Sequence, residues 1–526
     1  MSAAGPRRGY LPSGGRGQSV AATAASVGGI ADTPADALAL LRGASGINPP
    51  LLDQSLRTFV SREPVSCLPE TAIHAVLETM GREHIGAMVV TDQDRHPIGV
   101  FTLRDLLEKV ALGKVDSTNP ISTVMDKAIW ALPSGAQGFE AAVLMAREGI
   151  RYVLLVESER LVGVVSESRL FSVWRGGIGD TSATIRGARN VDEMAAATAG
   201  IRVLVDRLLE ERMAAESVTR VITTLNDLVT GRLIEIVGAA APLERAGGCW
   251  IALGSQGRCE QTLATDQDNG IIFVDGGDVE SRRRELLPYA RNVNEALDRC
   301  GFPLCRGEVM ASNPKWCLSL SEWRRCFAQW IDEPDPRALL NATIFFDFRP
   351  IQGNRAVASE LRAWLARHAE DSGRFLLPMV HNALTSQPPL GLVRDFILAS
   401  GGEHPDTLDL KVNGVQLFVE SARIYSLLTG VTATNTLDRF AALAKTRLLA
   451  GAEIEAWEES FRFMQLLRVR HNAAQRVRGE PLHNHINPAV LNELDRRILK
   501  EALRQARNLQ SRLARDFSVA NANFGV

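Results

Sequence analysis

The segment GSQGRCEQTLATDQDNGIIFVD, residues 254–275, sets Asp266 and Asp268 one residue apart, about a dozen positions after the pair Gly254-Ser255. In extended chain, side chains i and i+2 leave the same face, so the two carboxylates project together from the start of DQDNGIIFV. Like charges so placed repel unless a cation sits between them. Mg²⁺ (or Mn²⁺) suits the position, because it takes carboxylate and phosphate oxygens and keeps part of its water. Gly254-Ser255 ends the apolar run CWIALGS and opens a helix whose free N–H groups can seat phosphate. A triphosphate laid between that turn and the metal-bearing pair would be gripped at both ends. Such a grip suits attack by an acceptor hydroxyl with loss of pyrophosphate. An isolated Asp-x-Asp is commonly a solvated loop; the Gly-Ser turn at this distance, with an apolar strand beside each, sets this one apart.

The elements that must position these groups follow from pattern. CWIALGS and NGIIFVD are buried strands, and QGRCEQTLAT between them is long enough for two turns of helix. ATIFFDFRPIQG (342–353) is expected to be a third strand. Before them, apolar positions recur at three and four from residue 191 to the Gly247-Gly248 pair, which predicts long helices; after them, 355–526 lacks strand signals and predicts a helical bundle. Nearer the N-terminus, HIGAMVVTDQDRHPIGVFTLRDLLEKV (84–110) is echoed by GIRYVLLVESERLVGVVSESRLFSVW (149–174). Each copy reads strand, charged turn, strand, helix, and each follows an amphipathic helix. The period of about 64 residues implies two like units stacked on each other. Residues 1–47, rich in Ala, Gly and Ser, are expected to be a disordered leader.

The chain has 526 residues with a net charge of −2 and no basic stripe, which argues against a nucleic-acid partner. No apolar run reaches membrane-span length and no h-region follows PRRGY, so neither membrane insertion nor secretion is expected. Seven cysteines without a Cys-x-x-Cys pair predict reduced thiols in a cytoplasmic protein.

The repeat resembles a tandem CBS-domain pair, over most of residues 50–176. The Gly-Ser turn with Asp-x-Asp resembles the DNA polymerase β-like nucleotidyltransferase superfamily. GSQGRCEQTLATDQDNGIIF, SNPKWCLSLSEWRRCF, FFDFRPIQG and TATNTLDRFAAL are more closely similar to nucleotidyltransferases fused to CBS pairs, distantly related to the protein-PII uridylyltransferase. That resemblance implies Asp266 and Asp268 as catalytic metal ligands and Gly254 and Ser255 as the phosphate turn. Arg258 and Glu260 match a Gly-Arg-x-Glu run; Arg258 could neutralise phosphate, or form a salt bridge to Glu260 or to one of the aspartates. A third carboxylate usually completes such a metal site. Asp347 is the first candidate, with a salt bridge to Arg349 as its structural alternative, and Glu308 is the second. Lys411 matches a family position of unassigned role.

In the first repeat, Thr102 and Asp105 match the T-x-x-D that CBS modules use on adenosine ribose and phosphate, and equally form a helix cap and first-turn acid. The second repeat has Ser166 and Arg169 there, which implies a site lost or altered toward a more anionic ligand. His471, His483 and His485 are expected to be surface or structural, and the basic residues of 467–479 a solvated helix face.

The expected architecture is multidomain α+β. It comprises a CBS pair over 48–176, a helical linker over 185–246, a nucleotidyltransferase core with a mixed sheet over 247–375, and an all-α substrate-binding domain over 376–526. The expected activity is metal-dependent transfer of an NMP group from an NTP to an acceptor hydroxyl on a protein, regulated by an adenine nucleotide at the CBS pair, in a homodimer. A small-molecule nucleotidyltransferase and a non-catalytic nucleotide-sensing scaffold are the alternatives.

Overall fold

In the computed structural model, the described residues are 53–523 apart from 61, 174–176, 371–372 and 392–395. The leader expected over 1–47 lies outside the described residues.

Each repeat forms a three-stranded sheet. β1 (Ser66–Cys67) runs parallel to β2 (Ala87–Thr91), which forms a hairpin with β3 (Pro97–Thr102). β4 (Ala131–Pro133), β5 (Tyr152–Glu157) and β6 (Arg160–Ser166) repeat the arrangement. The second hairpin turns on Ser158 and Glu159, both with positive φ (48° and 65°), the backbone twist that a two-residue hairpin loop demands. The amphipathic helices Ile73–Arg82 and Gly138–Glu148 stand where the apolar periodicity places them.

The linker is four helices, Ile178–Gly187, Val191–Glu210, Ala215–Ile236 and Ala240–Arg245, which stop before Gly247 (φ 56°) and Gly248. The next sheet is mixed and four-stranded, in the order β10 (Arg349–Gly353), β7 (Cys249–Ala252), β8 (Asn269–Phe273), β9 (Cys317–Ser319). Only the β8–β9 pairing is parallel. The period of two divides its central strands between two cores. Cys249, Ile251 and Ile272 pack on the aromatic and C-terminal helical side with Trp323, Phe327 and Phe418. Trp250, Ala252, Ile271 and Phe273 pack on the linker side with Leu225, Val229 and Val293. The sheet is therefore buried on both faces, and the first repeat keeps a separate core around Val76, Met88 and Phe101.

Two expectations are corrected. The helix after the Gly-Ser turn is a single turn, Gly254–Gly257, and the rest of the connection is loop. Residues 342–348 are not strand: a helix runs Pro336–Phe345, and β10 begins at Arg349. Asp335 caps that helix by accepting from the Ala338 N–H at 2.7 Å, and Pro336 fills its first turn.

The C-terminal part holds the helices Gly373–Thr385, Gln416–Leu428, Thr436–Ala444, Gly451–Val477 and Glu493–Asn523. A short ladder between β11 (Leu408–Asp409) and β12 (His485–Ile486), unpredicted from sequence, pins their loops together. All seven cysteines are free thiols. Among the described residues no helix is long and apolar enough to cross a membrane.

Candidate nucleotide and metal site

The four residues 266–269 alternate as extended chain should. Gln267 and Asn269 turn into a buried amide network: Asn294 Nδ2 donates to Gln267 Oε1 (2.8 Å) and to Asn269 Oδ1 (3.0 Å). Gln267 Nε2 donates to the Phe302 carbonyl at 2.8 Å, and the Ala311 N–H to Asn269 Oδ1 at 2.8 Å. With those two locked, Asp266 and Asp268 face the other way. Their carboxylates and the Cys305 thiol bring ligand atoms within 4.8 Å of one another, and no other group of three does so among the described residues.

The Gly-Ser turn meets this group directly. The Leu253 N–H donates to the Asp268 carbonyl at 2.9 Å. Gly254 has φ +53°, and a Cβ on it would stand 2.9 Å from Asp268 Oδ2, so the left-handed backbone and the close approach both require glycine. Gly257 is equally constrained, since a Cβ there would lie 1.7 Å from the Asp347 carbonyl oxygen. Gly254, Ser255, Arg258, Asp266, Asp268 and Cys305 line one cavity of about 320 Å³, which Lys411, Glu420, Arg423 and Arg468 of the C-terminal part also line.

Burial and, after it, the Asp266 charge push the Asp268 carboxyl up to about 6, and Cys305 Sγ donates to its Oδ1 at 3.5 Å. Neither aspartate has an ion pair among the described residues. A buried carboxyl raised by desolvation and by a neighbouring carboxylate fits a divalent cation, whose charge would relieve both effects. The oxygens suit Mg²⁺ or Mn²⁺, and the thiol adds a softer donor.

Asp347 does not join them. It is fully buried outside the cavity lining, and its carboxylate is consumed by three guanidiniums. Arg423 and Arg439 each reach it at 2.6 Å, and Arg258 at 3.0 Å. Burial alone would raise this carboxyl; Arg423, Arg439 and Arg258 together hold it well below the usual carboxylate range. The expected salt bridge to Arg349 is also absent, because Arg349 pairs with Asp227 at 2.7 Å. Glu308, the second candidate, is exposed and outside the convergent group. The third group that converges with the two aspartates is instead the Cys305 thiol, which the sequence pattern did not single out.

Arg258 takes the salt-bridge alternative while still lining the cavity, bonding Glu260 at 2.8 Å as well as Asp347. Glu260 Oε1 in turn accepts from the Thr436 N–H (2.7 Å), Asn435 Nδ2 donates to the Arg258 carbonyl (2.8 Å) and Thr434 Oγ1 to the Gly257 carbonyl (3.1 Å). The TATNTLDRF segment thus clasps the Gly-Arg-x-Glu loop from 176–177 residues away. Arg423 was missed, although an arginine amid the apolar helix GVQLFVESARIYSLL is a signal of buried charge. Its Nη1 and Gln465 Nε2, both on cavity-lining residues, are buried without a hydrogen-bond partner. Of the basic run 467–479, Arg468 reaches the cavity, while Arg476 pairs with Asp206 and Arg478 with Glu480.

In the CBS pair, Thr102 and Asp105 form a reciprocal capping box, and Lys109 holds Asp105 Oδ1 at 2.8 Å. Neither lines the cavity of about 490 Å³ between the repeats; Arg62, His84, Tyr152, Ser166 and Arg169 do. Tyr152 Oη would lie 2.2 Å from a Cβ on residue 86, so Gly86 makes room for the phenol at its rim. His471, His483 and His485 gather with His404, whose ring lies 4.3 Å from that of His483 and 4.2 Å from that of His485. Burial and, next, His483 push His471 down to about 4, so it is neutral at physiological pH.

Comparison with known proteins places this architecture. The family "Putative nucleotidyltransferase DUF294" matches residues 199–337, and "Putative nucleotidyltransferase substrate binding domain" matches 373–517. The CBS domain matches twice, over 56–112 and 121–176. The chain belongs to this CBS-linked nucleotidyltransferase family. An "Uncharacterized 17.7 kDa protein in bps2 3′region" of Acidianus ambivalens is 25% identical over 99 residues, 19% of this chain and 59% of the relative. An uncharacterized protein of Methanopyrus kandleri is 31% identical over 107 residues, 20% of this chain and 54% of the relative. The chain spans about half the length of these curated relatives. Among solved structures, a CBS domain protein from Pyrobaculum aerophilum complexed with AMP is 26% identical, covering 22% of this chain and 88% of that one, with a TM-score of 0.21. A CBS-domain containing protein from Agrobacterium tumefaciens is 27% identical, covering 23% and 98%, with a TM-score of 0.22.

Proposed function

We propose that the chain transfers an NMP group from an NTP to an acceptor hydroxyl, in a cleft between the mixed sheet and the C-terminal helices. The observation carrying this reading is the convergence of Asp266 and Asp268 against the Gly254 turn in a cavity with unpartnered cationic and amide donors. Bound by the two aspartates, with Cys305 as neighbour, a divalent cation would favour the acceptor's alkoxide character and offset charge on the departing pyrophosphate. The protein's own share is positional. Gly254 and Ser255 offer backbone N–H groups, and Arg423, Arg468 and Lys411 supply the positive wall a triphosphate requires. Arg258 is a positioning residue, since its guanidinium is spent on Glu260 and Asp347 and keeps the turn seated. A protein acceptor, as in the uridylyltransferase resemblance, is proposed over a small molecule. Incubating the full chain and its host lysate with each labelled NTP and Mn²⁺ or Mg²⁺ tests this: label on a protein band supports it. Label only in small molecules would transfer the assignment to the first alternative, and no label to the non-catalytic scaffold.

We further propose that the regulatory ligand, a phosphate-bearing adenine nucleotide, occupies the cavity beside Ser166 and Arg169. Ser166 and Arg169 line that cavity, whereas Thr102 and Asp105 do not. The expected result is an AMP- or ATP-induced thermal shift that survives Asp105→Ala and is lost in Arg169→Ala. The reverse pattern would return the ligand to the first repeat.

A homodimer through the CBS pair is supported by Leu103, Leu107 and Leu112, left 57%, 58% and 71% exposed along one short helical stretch. Light scattering at micromolar concentration should give twice the 57.3 kDa chain mass, reverting to one chain in Leu107→Glu. A monomeric wild type would remove the proposal.

A further inference from the structure

A second cationic cavity, of about 470 Å³, lies where the CBS pair, the linker and the edge of the mixed sheet meet. Arg147 comes from the second repeat's helix, Arg186 and Arg232 from the linker, and Arg349 and Arg355 from β10 and the start of the helix Arg355–Glu370 that follows it. Five guanidiniums face two carboxylates, Asp227 and Glu235. Those acids are already matched: Asp227 to Arg349 at 2.7 Å and Glu235 to Arg232 at 2.6 Å. Arg147 pairs outward with Glu148, and Arg186 donates to the Ala146 carbonyl. Arg355 makes no ion pair among the described residues, and Arg349 Nε is buried without a partner. With Arg147 matched by Glu148, an excess of two positive charges is thus concentrated in a pocket of small-ligand size, within a chain whose net charge is −2.

We propose that this cavity binds a small anion bearing a diphosphate group. Guanidiniums converging from three segments are the geometry that multidentate phosphate recognition requires. The volume of about 470 Å³ and the absence of a basic stripe beyond it select a small molecule over a nucleic acid or an acidic peptide. The site adjoins the underside of the Gly-Ser turn. Arg349 also donates to the Gln256 carbonyl at 3.0 Å, and Gln256 Nε2 to Asp227 at 3.0 Å. An anion drawing on Arg349 therefore competes with the contacts that seat residues 254–257, placing the pocket to bias the turn from outside the catalytic cavity.

The probe is inorganic pyrophosphate, titrated calorimetrically into the full chain in EDTA so that no cation recruits it to Asp266 and Asp268. The expected result is one saturable site that weakens with added salt. Affinity should fall at least tenfold in Arg147→Ala/Arg355→Ala. A second variant avoids removing any arginine: Gly231 lines the cavity on the helix Ala215–Ile236, and a Cβ there makes only ordinary contact with Gln352 Oε1 at 3.7 Å. Gly231→Glu thus starts from a Cβ that the backbone accommodates, adds negative charge to the pocket lining, and should also abolish binding. Arg169→Ala, in the CBS cavity, should leave it intact. Measured in Arg169→Ala, which silences the adenine-nucleotide cavity proposed above, ADP binding as tightly as pyrophosphate would make a nucleotide tail the source of the diphosphate; pyrophosphate alone binding would make it the inorganic ion. No saturable binding to the wild type, wild-type affinity in Gly231→Glu, or loss in Arg169→Ala would each overturn the proposal.

Discussion

Asp347→Ala is expected to destabilise the protein by about 3–5 kcal/mol, the loss that follows when one partner of a buried ion cluster is removed. Its two carboxylate oxygens are the shared acceptor for Arg258, Arg423 and Arg439, of which the latter two are almost wholly buried. Without it, three guanidiniums would remain in the interior with Glu260, bonded to Arg258, as their remaining ion-pair partner among the described residues. The backbone compounds the effect, because the Asp347 carbonyl packs against Gly257 of the turn. Asp347→Asn keeps shape but loses charge, and should fall between wild type and alanine. Since the carboxyl is held far below its ordinary value, its contribution is complete above about pH 4 and declines only as pH falls below that. Denaturant midpoints at pH 7 measure the effect. A metal-ligand role would give another pattern: a stable Asp347→Ala protein that no longer binds divalent cation. That outcome would overturn the structural assignment.

Local signals were legible and long-range ones were not. The Gly-Ser turn, the Asp-x-Asp alternation, the repeat and the helical periodicity are all written within a few residues, and the structure places each where its period predicts. The partners of Asp347 lie 76, 89 and 92 residues away along the chain, beyond any spacing rule. The same holds for Cys305, which reaches Asp268 across 37 residues. The error at 342–348 has a different origin. Thr343, Ile344 and three phenylalanines have strand propensity, but propensity is a weak prior against tertiary packing. Phe345, Phe346 and Phe348 fill an aromatic cluster in which Trp316 lies 4.2 Å from Phe345 and Phe327 5.2 Å from Phe346. Asp335-Pro336 is the helix-start signal that competes with that propensity. The four-histidine group escaped because His404, His471 and the His483–His485 pair come from three separate segments, joined by a ladder of two residues per strand.

The acidic pair should separate catalysis from stability. Asp266→Asn is expected to reduce NMP transfer at least about 10³-fold, equivalent to ~4 kcal/mol on the barrier, with little change in the metal-free melting temperature. Asp268→Asn should lose transfer to the same degree and yet make the metal-free protein more stable at pH 8. The sign follows from proton binding. Asp268 holds its proton up to about pH 6 in the fold, whereas the unfolded chain gives it up near pH 4. Between those values the folded state binds the extra proton, so stability falls as pH rises through the window and the full penalty stands above it. At about 1.4 kcal/mol per pH unit of displacement, the variant can recover up to roughly 3 kcal/mol at pH 8 and almost nothing at pH 4. Added Mn²⁺ should reverse the ranking, stabilising the wild type and leaving both variants unmoved, because only an intact pair rewards ionisation with a ligand bond. Calorimetric melts with and without Mn²⁺ at the two pH values, alongside labelled-NTP transfer, test all of this. An Asp268→Asn protein that is less stable than wild type at pH 8 without cation would mean that Asp268 is held by the fold for its own hydrogen bonds. Transfer undiminished in Asp266→Asn would remove the pair from the reaction altogether.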